Sequence, residues 1–161
     1  MNAFESEFGK SIKRIEGSRD DFYGFKLFDT TSFRVISEKI FSLKVPCDFI
    51  AIYKGKTYFL ECKSSKNATS YSKNYIKDHQ LVSMSKAEKA GAKAYFVICK
   101  RHKARNFKCY AMKPSTLLHL FSLFSDKASI KWKYIEEYGI ELDRVTNLQE
   151  WDIKKLFGIW E

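Results

Sequence analysis

Apolar residues change their spacing along this chain, and each change marks an element. Phe4, Phe8, Ile12 and Ile15 recur at helical spacing and predict an amphipathic helix from about Asn2 to Glu16. Gly24 to Lys44 mixes both periods, so at least one strand is expected there, with Thr30, Thr31 and Ser32 in a turn. From Asp48 to Lys63 the period is two, interrupted at Gly55-Lys56, which reads as two antiparallel strands joined by a glycine-first type II′ turn. A polar loop over Ser64–Asn74 precedes a helix from about Tyr75 to Ala90, with Ile76, Met84, Ala87 and Gly91 on one face. Ala94–Cys99 is a continuous apolar run, as expected of a central strand covered on both sides, and the alternating Phe107–Met112 would pair with it. Pro114-Ser115-Thr116 opens a helix through about Phe124. A short helix near 133–138, a strand near 140–143 and a helix near 148–157 complete the chain.

The hairpin carries the chemistry. With a Gly55-Lys56 loop, Lys54 pairs with Thr57, Ile52 with Phe59, Ile50 with Glu61 and Asp48 with Lys63. Side chains alternate faces, so Asp48, Glu61 and Lys63 emerge together at one end of the hairpin. Asp48 and Glu61 become diagonal neighbours, roughly 7–8 Å apart at the backbone, close enough to share a divalent cation. Two acids and a lysine on one face are the parts of metal-assisted phosphodiester hydrolysis. The acids hold Mg²⁺, and the lysine offsets charge that builds on the phosphate. An edge-strand ion pair of little energetic weight is the bland alternative.

Composition narrows the partner. The 161 residues are 45% hydrophobic and 16% aromatic, enough for one domain over 1–161 with a real core. A net charge of +10 implies a polyanion, either nucleic acid or an anionic membrane surface. No apolar run of about 18 residues and no signal peptide are found, so a soluble cytoplasmic protein with no membrane partner is expected. Nothing points to a small-molecule substrate. Cys47, Cys62, Cys99 and Cys109 lack C-x-x-C spacing, which argues against zinc and for reduced structural thiols.

Several residues have two readings. Glu5 lies at the border of the first helix's apolar stripe and Glu7 points further away; either is a solvated glutamate or a further site acid. Gln80 falls on the apolar face of its helix, as a satisfied core amide or as a residue that orients water or metal-bound hydroxide. Lys66 and Lys73 lie in the loop leaving the site, and Lys100, Arg101, Lys103 and Arg105 form the densest positive segment. All six are candidate phosphate contacts, against the alternative of solvated loops.

Taken in order, an acidic N-terminal helix, Asp48 opening a strand, Glu61-Cys62-Lys63 ending the next and a helix carrying Gln80 resemble the PD-(D/E)xK nuclease core. The likeness is nearest to the RecU-type Holliday junction resolvases. It rests on Asp48-Phe49-Ile50-Ala51-Ile52-Tyr53-Lys54-Gly55-Lys56, Phe59-Leu60-Glu61-Cys62-Lys63 and Asn74-Tyr75-Ile76-Lys77-Asp78-His79-Gln80. It extends to Phe96-Val97-Ile98 and loosely to Tyr134–Leu142. The resemblance implies an α/β, restriction-endonuclease-like fold, a central mixed sheet flanked by helices. It implies a homodimer that binds four-way DNA junctions and nicks two strands symmetrically with Mg²⁺, or Mn²⁺ as substitute. Asp48 and Glu61 would be metal ligands, Lys63 the catalytic lysine, Gln80 a water- or metal-orienting residue and Glu5 the helix acid, with Glu7 the fallback. A stalk-like insertion at about 31–45 would enter the junction, bringing Thr30, Thr31, Ser32 and Arg34 to DNA. Cys47 departs from the family, which usually has a hydroxyl residue before the aspartate. The other classes are a restriction or repair endonuclease on the same core, and a non-catalytic basic DNA-binding module.

Overall fold

The computed structural model describes residues 3–28, 45–103, 106–145 and 147–159. The proposed stalk, with Thr30, Thr31, Ser32 and Arg34, lies outside the described residues save for Val45, as do Arg105 and the side chain of Lys103.

Helix α1 (Ala3–Ser18) is followed by β1 (Phe22–Lys26), β2 (Phe49–Tyr53), β3 (Lys56–Ser65) and the short β4 (Ser70–Ser72). Then come α2 (Asp78–Lys89), β5 (Lys93–Lys103), β6 (Asn106–Met112), α3 (Pro114–Leu123) and β7 (Ser129–Lys131). The chain continues through α4 (Trp132–Tyr138), β8 (Ile140–Val145), β9 (Glu150–Asp152) and α5 (Lys154–Phe157). Seven strands form one sheet in the order β1-β2-β3-β5-β6-β8-β9, while β4 and β7 pair as a separate ribbon. The β3–β5 pair is parallel and the other pairs are antiparallel, so the sheet is mixed. This is the α/β, restriction-endonuclease-like architecture that the resemblance implied.

Each sheet face buries its own core. On one side Phe4, Phe8, Ile12 and Ile15 of α1 pack with Phe49, Leu60, Val97 and Trp151. Each of those α1 side chains is essentially fully buried, a contribution of roughly 1.5–3 kcal/mol apiece. The other side gathers Met84 of α2, Leu117 and Leu120 of α3 and Ile135 of α4 around Phe96 and Ile98. All of Ala94–Cys99 is buried, as its unbroken apolar run predicts for a central strand. Helix α1 sits close on β1 because residue 24 is glycine: a Cβ there would lie 2.5 Å from Ile12 Cγ2. That approach also brings the start of α1 beside the end of β1.

Four sequence expectations need correction. The β2–β3 loop is Lys54-Gly55, both with positive φ (48° and 71°), a type I′ turn whose twist suits the flanking strands. The register is therefore Tyr53↔Lys56, Ile52↔Thr57 and Phe49↔Leu60. Each residue moves two places along its partner, so the faces survive, and one further step sets Asp48 opposite Glu61 rather than Lys63. The polar stretch after β3 is not all loop, because Tyr71 is fully buried at the centre of β4, pairing with Ile130 of β7. A single 3-10 turn, Lys73–Tyr75, precedes α2, which starts only at Asp78. The helix expected near 148–157 is instead β9 and the single-turn α5, because Trp151 is drawn into the α1 core as an edge-strand residue.

Candidate active site

Asp48 stands just before β2, at the end of the hairpin. Its N–H donates to Leu60 O (3.1 Å), and its own carbonyl accepts from Leu27 N–H (2.8 Å). Its Oδ2 accepts from Cys62 N–H (2.8 Å), so the side chain continues the ladder where the strand pairing ends. Glu61, on β3, is 1% exposed. Its Oε1 takes two donors, Lys63 Nζ at 2.6 Å and Gln80 Nε2 at 2.6 Å. Its Oε2 is buried with no hydrogen-bond partner among the described residues. Gln80 reaches this point from the first turn of α2, and its Oε1 also accepts from Lys77 N–H (3.4 Å). Both ends of that amide are therefore engaged.

Electrostatics follow from this crowding. Burial, then the neighbouring Asp48 charge, pushes the Glu61 carboxyl up to about 7, with Lys63 acting against the rise. Burial also raises Asp48, opposed by the Cys62 N–H, while the Glu5 charge adds to the rise. Negative charge at this spot is thus under-compensated, although two lysines stand close by.

The structure distinguishes the two helix acids. Glu5 pairs with Lys26 (2.6 Å), and its charge acts on both Asp48 and Glu61. Glu7, expected to point further from the apolar stripe, is instead buried. It takes Arg101 through both oxygens (3.1 and 3.2 Å), Arg144 at 3.5 Å and Trp151 Nε1 at 3.3 Å. Strands β8 and β9 cover that flank of α1, which the helix's own periodicity does not report. Lys26 was missed by sequence reasoning, and no local signal marks it. Only the pairing of Lys26 with Phe49 brings it alongside Asp48.

The basic candidates divide. Arg101 is held by Glu7 and lies over the Phe107 ring (4.1 Å). Lys73 donates to the carbonyls of Phe121 (3.2 Å) and Phe124, closing the last turn of α3. Lys100 is 3.6 Å from Glu136 and lies over Trp132 (5.3 Å). Lys66 is exposed, and Lys103 closes β5. The four cysteines are free and buried, as expected of structural thiols. Among the described residues no helix is long and apolar enough to cross a membrane.

Among the described residues no three His, Cys, Asp or Glu side chains converge as a metal cage. Two carboxylates do converge, and Mg²⁺ is ordinarily held by one or two carboxylates, with water and substrate phosphate completing its shell. The unpartnered Glu61 Oε2, beside a second buried acid, is an oxygen donor set that fits such a hard cation.

Among solved structures the fold is similar to that of Hjc, a Holliday junction resolvase from Archaeoglobus fulgidus, an archaeal hyperthermophile. The identity is 16% and the TM-score 0.46, over 97% of this chain and 100% of that one. No curated protein matches. The family described as RecU, recombination protein U, matches residues 26–149, a span that holds Asp48, Glu61, Lys63 and Gln80. The chain belongs to the recombination protein U family.

Proposed function

We propose that this chain is a metal-dependent endonuclease that resolves four-way DNA junctions by paired, symmetric phosphodiester hydrolysis. The observation that carries this reading is the unpartnered, buried Glu61 Oε2 next to Asp48, with Lys63 Nζ on the other Glu61 oxygen. Asp48 and Glu61 would hold Mg²⁺, or Mn²⁺ in its place, which supplies a Lewis acid and a bound water of lowered pKa. Lys63 holds its ammonium at the site and offsets negative charge that builds at the scissile phosphate. Gln80 fixes Glu61 Oε1 so that Oε2 remains the open donor. Glu5 is the third acid, its pairing with Lys26 setting the charge felt by Asp48. The net charge of +10 supplies the attraction to DNA. A four-way junction has approximate two-fold symmetry, so one site per chain calls for a homodimer.

Cleavage of a four-way junction beside a linear duplex of equal length, with and without Mg²⁺, tests the reading. Metal-dependent, paired cuts in the junction are expected. Equal cutting of both DNAs points to a restriction or repair endonuclease on the same core. DNA binding without any cleavage points to a non-catalytic module.

A further inference from the structure

Arg101 and Lys73 are consumed inside the fold, so the phosphate-binding surface has to be sought elsewhere. A groove of about 790 Å³ opens between the β4–β7 ribbon and the end of α3. Lys127, Lys131 and Lys133 line it, with Ser70 and the aromatic pair Phe124 and Tyr134, whose rings stand 4.5 Å apart. We propose that this groove is a DNA-backbone site, in which Lys131 and Lys133 contact phosphates of a duplex arm running away from the cleaved position. The proposal rests on the nuclease reading above and adds to it a surface that no motif in the sequence marked.

Three observations support it. First, two of the three cations have no carboxylate against them among the described residues. Lys127 is paired with Asp126 (2.7 Å), but Lys131 and Lys133 are exposed and have no acidic partner among the described residues. The Lys133 ammonium instead lies 4.8 Å over the Tyr134 ring, which holds it at the groove wall. Second, the walls are fixed. Trp132 N–H donates to Thr69 O (3.3 Å), Trp132 Nε1–H donates to Asn67 O (2.8 Å), and Ser70 pairs with Lys131 across the ribbon. Lys73, in turn, ties the end of α3 to the segment after β4. A backbone settling there orders few new groups, which lowers the cost of binding.

Third, the ribbon that walls the groove follows the strand of the site and lies beside further positive charge. The Asn67–Thr69 turn follows β3, the strand of Glu61 and Lys63, and the Glu61 charge acts on Tyr71 at the centre of β4. On the other side of that turn a second groove, of about 370 Å³, is lined by Lys100, His102 and Lys108, with Glu136 its one acid, 3.6 Å from Lys100, so that Lys108 is its cation without an acidic partner among the described residues. Each strand of a duplex presents one phosphate per about 3.4 Å of helix axis, so a backbone lying along this track meets cations on both flanks of the turn.

The test is a Lys131→Gln/Lys133→Gln double variant, titrated with a labelled four-way junction and a labelled linear duplex in metal-free buffer across a salt series. At about 0.9 per phosphate contact, the slope of log affinity against log salt should shrink by about 1.8. That corresponds to a loss on the order of fiftyfold at 0.1 M salt, equal on both DNAs because an arm contact does not read the crossover. A Lys89→Gln/Lys93→Gln pair, exposed at the end of α2 and the start of β5, should leave the slope as it was. Unchanged affinity and slope in the first variant, with wild type binding normally, would overturn the proposal, as would an equal loss in the second. Wild type that fails to bind either DNA at low salt would refute the nuclease reading itself, and this site with it.

Discussion

Glu61→Gln should make the protein more stable at pH 8 while it abolishes cleavage. The glutamate's carboxyl is pushed up to about 7 by burial and by Asp48, from an ordinary value of 4.5. Between those values the folded state holds a proton that the unfolded state has released. Stability therefore falls as pH rises through that window, and the loss persists above it. At about 1.4 kcal/mol per pH unit the penalty reaches roughly 3 kcal/mol at pH 8, relative to a residue that stays neutral. Glutamine stays neutral and keeps an oxygen for Lys63 and Gln80, so it removes the penalty. Urea unfolding at pH 4.5, 6 and 8 measures this: the two proteins should coincide near pH 4.5 and separate as pH rises. Ca²⁺ at pH 8 should recover the difference in the wild type only; at a hundred times Kd a bound ligand adds about 2.7 kcal/mol. If the variant is less stable than wild type at pH 8, or wild type shows no loss between pH 4.5 and 7, the charge on Glu61 is already compensated. In that case the site is not poised for a cation.

Asp48→Asn should abolish cleavage and leave DNA affinity within a few-fold of wild type by fluorescence anisotropy, since it removes a proposed ligand and no basic surface. Lys63→Ala should cut single-turnover cleavage on the order of a hundredfold. Gln80→Ala should cost less in rate and also lower the melting temperature, because that amide holds both Glu61 and the start of α2. Glu7→Gln should destabilise the fold by about 3 kcal/mol in urea unfolding, because it leaves Arg101 and Arg144 without their buried counter-charge. Retained stability would mean that those guanidiniums are held well enough by Phe107 and Trp151.

The sequence by itself determined what each element does with its own faces. Four apolar residues at helical spacing specify α1, the unbroken run at Ala94–Cys99 specifies a central strand, and alternation along Asp48–Lys63 puts Asp48 and Glu61 on one face. That last property survived a wrong turn, because a slide of two residues preserves parity where a slide of one would have destroyed it. What local periodicity cannot report is which neighbour covers a face, or what a polar side chain meets across it. Glu7 reads as the outward acid until β8 and β9 bring Arg144 and Trp151 onto it. Arg101 and Lys73 read as free cations until Glu7 and the α3 carbonyls take them. Lys26 has no mark until β1 pairs beside Asp48. Trp151 looks helical until burial at the sheet edge makes it a strand residue. Each of these was decided by contacts far apart in sequence, where the energy of burying a charge or a large ring depends on partners that the local pattern does not contain.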